Sequence, residues 1–154
     1  MSCYALGYFD PRTLCTTRGT DLGASFHVGG ENEALVGLGV KLRHTLNAPI
    51  RLEANANMLF ADHLTVQDFN ANVHRLFSLN QRTMIYPLAG LNVSLWYWDL
   101  YGGPGGSDTH VGLNLGCGVE YRFAPRWSVG FEAKYLFIKK EHAPFGSIGI
   151  AYRL

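Results

Sequence analysis

The sequence predicts an all-β fold, an eight-stranded antiparallel up-and-down transmembrane β-barrel, on three observations. Apolar and polar residues alternate at period two from about residue 20 to the end, tight turns alternate with longer or more polar connections, and aromatic residues gather at strand ends. No stretch between the runs carries the 3.6-residue period of an amphipathic helix.

In chain order, Leu22, Ala24, Phe26 and Val28 alternate with Gly23, Ser25 and His27. Val36, Leu38, Val40 and Leu42 then oppose Gly37, Gly39, Lys41 and Arg43. The third run sets Ile50, Leu52, Ala54, Ala56, Met58 and Phe60 against Arg51, Glu53, Asn55 and Asn57. Phe69, Ala71 and Val73 against Asp68, Asn70, Asn72 and His74 make the fourth and weakest run, and Ile85 through Tyr97 the fifth and longest. From Val111 to Phe123 the odd positions are apolar and the even ones are Gly, Asn, Glu or Arg. Trp127 to Phe137 repeats the scheme, and Ile148, Ile150, Tyr152 and Leu154 finish it against Ser147, Gly149, Ala151 and Arg153. Successive side chains of a strand point to opposite faces, so every run has one apolar and one polar face.

Tight connections follow strands two, four and six, at Leu46-Asn47-Ala48-Pro49, Leu79-Asn80-Gln81-Arg82 and Phe123-Ala124-Pro125-Arg126. The intervening connections are longer or more polar, above all Asp99 to Thr109 and Lys139 to Pro144. Residues 20–154 are assigned to the barrel, and residues 1–19 to an N-terminal segment that is a periplasmic tail, a lumen insert or an extra strand. Its start, Met1 to Asp10, has no basic region, long apolar core or small-residue cleavage site, so it does not read as a secretory signal.

Composition removes other classes. The 154 residues fit one domain, and 18 glycines, 20 aromatics and 16% charged residues exclude coiled coil, collagen and disorder. A net charge of +1 argues against a nucleic-acid partner. The least charged run, Met84 to Trp98, is shorter than the roughly 20 residues of a spanning helix and contains Pro87, Asn92 and Ser94.

Three features orient the faces. The polar face pairs Glu53, Asp68, Glu120 and Glu132 with Lys41, Arg43, Arg51, Arg122, Lys134 and Arg153 among small residues, which suits an interior just wide enough to be filled by side chains. A water-facing surface would instead be rich in Lys, Glu, Gln and Thr and poor in glycine. Trp96, Tyr97 and Trp98 beside the long connection, with Phe123, Trp127 and Tyr152 at the other end, are placed as an aromatic girdle. The apolar face is therefore expected to meet lipid. Leu115→Arg is expected to cost about 2–4 kcal/mol and Asn114→Arg less. A soluble lipocalin-like barrel binding an apolar ligand is the alternative, and it requires the opposite orientation.

The run Gly112 to Phe123, the turn Ala124-Pro125-Arg126 and Trp127 to Tyr135 resemble the penultimate hairpin of small bacterial outer-membrane β-barrels of the OmpA/OmpX/opacity-protein type. Ser147, Gly149, Tyr152 and Leu154 fill the slots of that family's C-terminal assembly signal, with Leu154 where many members end in Phe. The resemblance implies a Gram-negative outer-membrane location, lipid as the surroundings, and the barrel-insertion machinery as a partner through the last strand. It implies a monomer with an envelope-structural or surface-interaction role and an extracellular or periplasmic protein partner left open.

The lumen charges are read as a paired, closed network rather than a porin-like ion path, because eight strands leave no aqueous channel. Catalysis is not expected, nor any metal or other cofactor. His27, His44, His63, His74, His110 and His142 show no metal-ligand spacing. The alternative of a rim-located lipid A-modifying enzyme or protease rests on Asp62-His63 and on Ser107-Asp108-Thr109-His110. Cys3 and Cys15 either close a small loop or stay unpaired, and Cys117 reads as a small lipid-facing residue. Gly102-Gly103-Pro104-Gly105-Gly106 lacks the following Lys of a phosphate-binding loop and reads as a loop tip.

Overall fold

Period-two alternation becomes an antiparallel sheet of β1 (Gly19–Gly29), β2 (Leu35–Asn47), β3 (Ile50–Ala61), β4 (Leu64–Arg75), β5 (Phe77–Ser78), β6 (Thr83–Trp98), β7 (Gly106–Arg122), β8 (Trp127–Ile138) and β9 (Glu141–Arg153). The structure is a computed structural model, and it describes residues 18–30, 34–47, 49–98, 105–138 and 141–154. The expectations for residues 1–17, Cys3 and Cys15 among them, lie outside the described residues, as does most of the glycine-rich loop tip.

Neighbouring strands pair in sequence, and β1 also pairs with β9, so the sheet closes on itself. β5 pairs with β6 in the register that β4 set, which makes β4 and β5 one stave interrupted at Leu76. The Leu76 amide donates instead to the Pro49 carbonyl at 2.7 Å. The result is a closed eight-stave cylinder, the sheet form with no edge left to satisfy within lipid.

Its faces are inverted relative to a water-soluble protein. Leu38 and Val111 are 67% and 65% exposed, whereas Arg51 and Asn114 are 1% and 0% exposed. Continuous apolar exposure of this kind is stable only against hydrocarbon. The outward set is the apolar set of every run, including Leu22, Leu42, Leu52, Phe69, Leu91, Leu115, Phe131 and Ile150.

Three expectations need correction. The interior is not polar throughout: Leu35, Leu59, Val66, Leu136, Ile138 and Phe145 form an apolar cluster at the loop end, and Leu76, Tyr86 and Leu88 a second one. The alternation of tight and long connections is weaker than the composition suggested. Pairing carries β7 back to Gly106 and β9 back to Glu141, and Asp62 and His63 form a tight turn, with His63 at φ 63°. Finally, Asn114 is packed among asparagines with no room for an arginine, so Asn114→Arg overpacks the interior and is not the mild partner of Leu115→Arg.

The face assignment is better read along the outside. Leu115→Arg lowers stability in lipid vesicles by about 2–4 kcal/mol, while Phe123→Arg at the turn end costs about 0–1 kcal/mol, because the penalty falls toward the interface. Urea titrations of the vesicle-inserted barrel measure both, and equal effects contradict the outward, depth-graded placement.

Candidate functional site

Inward positions of all eight staves meet in the lumen, where the side chains divide into an ionic half and an amide half. The ionic half begins at Asp21 on β1, which lies 3.4 Å from Arg153 on β9 and 3.7 Å from Arg43 on β2. Arg43 Nη1 donates to Glu120 Oε2 at 2.8 Å, and Arg51 Nη1 donates to the same oxygen at 2.7 Å. Arg51 also donates through Nε to His74 Nδ1 at 3.2 Å, and its guanidinium lies 4.7 Å from the Tyr86 ring centroid. Lys41 contacts Glu132 at 3.2 Å and Glu53 at 3.8 Å. Charges alternate along this chain, so each buried ion faces an opposite one.

Tyr86 sits between Arg51 and Glu132. Its hydroxyl donates to Glu132 Oε1 at 2.8 Å, and its ring stacks on His74 at 4.7 Å between centroids. Gly118 on the facing β7 makes that possible, since a Cβ there would lie 2.4 Å from the Tyr86 ring.

The amide half is a lattice of six asparagines. Asn55 and Asn72 donate to Glu53 Oε1 at 2.7 and 3.1 Å. Asn57 and Asn70 each donate to both Asn55 Oδ1 and Asp68 Oδ2. Asn92 donates to Asp68 Oδ1 and to Asn70 Oδ1, and Asn114 donates to Asn70 Oδ1 and Asn72 Oδ1. A side-chain amide carries two donors and an acceptor, so it passes a hydrogen bond onward while aiming its N–H groups at a carboxylate.

Of the expected lumen residues, Lys41, Arg43, Arg51, Glu53, Asp68, Glu120, Glu132 and Arg153 are in these contacts. Arg122 and Lys134 share the inward face at half-burial without joining an ion pair among the described residues. The charge reading passed over Asp21, His74 and Tyr86 as members, although each has the inward parity of its run.

The aromatic placement needs one revision. Phe123, Trp127 and Tyr152 gather on the outside at the turn end, with Trp127 and Tyr152 rings 4.9 Å apart and Arg126 donating to the Tyr152 hydroxyl at 3.0 Å. At the loop end only Tyr97 of the predicted trio points outward. Trp96 and Trp98 have inward parity, and Trp96 packs on the apolar cluster. Tyr135, Phe137 and His142 form the outward aromatic group there, with ring centroids 4.9 to 6.3 Å apart. Among the assembly-signal residues, Ser147 and Gly149 face inward while Leu154 faces out beside Tyr152.

Glu53, His74 and Glu132 bring potential ligand atoms within 4.8 Å of one another, but the Lys41 ammonium already touches both carboxylates and supplies the positive charge there. His110 and Asp108 lie 3.5 Å apart on one face of β7, and strand parity puts Ser107 on the opposite face. The serine paired with His110 is instead Ser94 on β6, whose hydroxyl is engaged by Asp68 and Asn92. Cys117 is exposed on the outer face.

The profile of the outer membrane protein beta-barrel domain family matches residues 8–151. Among solved structures, the N-terminal β-barrel domain of Pseudomonas aeruginosa OprF aligns with a TM-score of 0.70 at 12% identity, covering 90% of this chain and 100% of that one. Ail, the attachment invasion locus protein of Yersinia pestis, aligns at 0.66 and 15% identity over 89% and 97% of the two chains. Neisserial surface protein A aligns at 0.65 and 16% identity over 89% and 97%. No curated protein matches the sequence.

Two substitutions test the lumen. Glu120→Gln leaves Arg51 buried without a carboxylate and Arg43 with Asp21 alone, and lowers unfolding stability by about 3–5 kcal/mol in vesicles. Gly118→Ala drives a methyl group into Tyr86 and costs about 1–3 kcal/mol, and a smaller residue at Tyr86 in the same chain recovers part of that loss. Denaturant titration of single and double variants measures both.

Proposed function

Since the chain belongs to the outer membrane protein beta-barrel domain family and resides in the outer membrane with its apolar face in lipid, we propose that it is a non-enzymatic barrel with a sealed lumen, serving the envelope as a structural element and meeting partners through its loop end. The filled lumen carries this reading: seven staves contribute buried polar or charged side chains to one connected set, β9 adds the half-buried Arg153, and an apolar cluster lies above it.

Orientation follows from the connections. The turns between β2 and β3, β5 and β6, and β7 and β8 share one end with the C-terminal Leu154, whose amide donates to the Thr20 carbonyl at 3.0 Å, and this is the periplasmic end in barrels of this kind. The other end faces outward from the cell. There β7 runs past the last residue of β8, so among the described residues Gly106 to Val111 pair with β6 alone, and Gly106 to Thr109 are exposed. This hairpin is the element best placed for a protein partner, consistent with relatives whose names describe attachment and surface exposure. Ser147, Gly149 and Tyr152 on the closing strand β9, with Leu154 just after it, are the residues offered to the insertion machinery.

A rim enzyme is the second reading, supported by the Asp108–His110 contact alone. Purified barrel in planar bilayers is expected to give no steady stepwise conductance, and cells expressing it unchanged lipid A masses. Stable ohmic channels from the unaltered protein overturn the sealed lumen. A lipid A change or peptide cleavage that His110→Ala abolishes establishes the enzyme instead.

A further inference from the structure

Among the described residues one buried lumen carboxylate, Asp68, has no cation in contact with it. Asp21, Glu53, Glu120 and Glu132 each face Lys or Arg at 2.7 to 3.8 Å. Asp68, 4% exposed, has none at that range among the described residues, and Lys134 acts on it only from a distance. Its neighbours Asn57, Asn70, Asn92 and Ser94 are neutral donors. They satisfy its oxygens as acceptors, but they bring dipoles rather than a balancing charge.

Asp68 also lines the floor of a cavity of about 280 Å³ at the loop-end mouth. The β4–β6 register stacks this cavity in layers, with Asp68 opposite Ser94, Val66 opposite Trp96 above them, and Leu64 opposite Trp98 at the rim. A carboxylate lies at the bottom, and apolar and indole surface rises around it. A dry cavity of about 150 Å³ accepts benzene, so this one has room for a ring with a short arm.

We propose that the mouth cavity binds small amphipathic organic cations, with a primary ammonium group set on Asp68 and a compact hydrocarbon body against Val66 and Trp96. The ammonium supplies a positive charge in contact with Asp68, where Lys134 acts only from a distance, and the indole wall favours both the cation and the hydrocarbon. An isosteric alcohol keeps only the apolar contact, and an isosteric carboxylate meets like charge.

The probe is 2-phenylethylamine, titrated by calorimetry into the refolded barrel in detergent micelles, with protein-free micelles subtracted. The amine is expected to bind saturably and roughly tenfold or more tighter than 2-phenylethanol, since a hydrogen bond to a charged group is worth about 1.5–3 kcal/mol, while 3-phenylpropanoate gives no binding. Asp68→Asn removes the preference for amine over alcohol, and Leu136→Trp, which fills the cavity, removes binding of both. Equal affinity for amine and alcohol, heat no greater than that of empty micelles, or an amine preference that survives in Asp68→Asn overturns the proposal. If Asp68→Asn does not fold, the amine and alcohol comparison on the unaltered barrel and the Leu136→Trp variant decide it.

Discussion

A peptide group that faces hydrocarbon without a hydrogen-bond partner costs several kcal/mol, and this constraint underlies the rest of the structure. It demands a sheet without edges, which the β1–β9 pairing provides. Closure at eight staves then fixes an interior that side chains fill. Because the outside must be apolar, most polar and charged residues of the strands are sent inward, where they meet partners from other strands.

The lumen meets that demand in two ways. On one side, arginines and carboxylates alternate from Arg153 through Asp21, Arg43 and Glu120 to Arg51. On the other, asparagines relay hydrogen bonds toward Glu53 and Asp68. Glu53 belongs to both sides, because it takes Lys41 at one oxygen and Asn55 with Asn72 at the other. A register slip would break these cross-strand contacts and turn the polar face outward, which ties the barrel to one register.

The two ends of the cylinder are built differently. At the turn end, Trp127, Tyr152 and Arg126 pack outside the last hairpin, as suits an interface between lipid and water. At the loop end the apolar residues turn inward and cap the polar lumen, and the β6–β7 hairpin projects beyond β8. The packed interior holds the cylinder together, and the projecting hairpin is the part that leaves the barrel wall.

Alternation in the sequence alone determined which side chains face lipid, because strand parity has only two values and a run such as Val111 to Phe123 assigns every residue one of them. The same parity already placed Tyr86, Trp96 and Trp98 inside, but composition drew the two tryptophans toward the girdle. The apolar cap was legible only as doubled apolar positions, Met58-Leu59-Phe60 and Tyr135-Leu136-Phe137-Ile138, where alternation lapses. Partners were another matter. Glu120 joins Arg43 and Arg51 across 77 and 69 residues of chain, and no local period encodes a contact that exists only once β9 has closed on β1. Parity therefore decided which residues share the lumen, and the register and curvature of the closed sheet decided which of them touch.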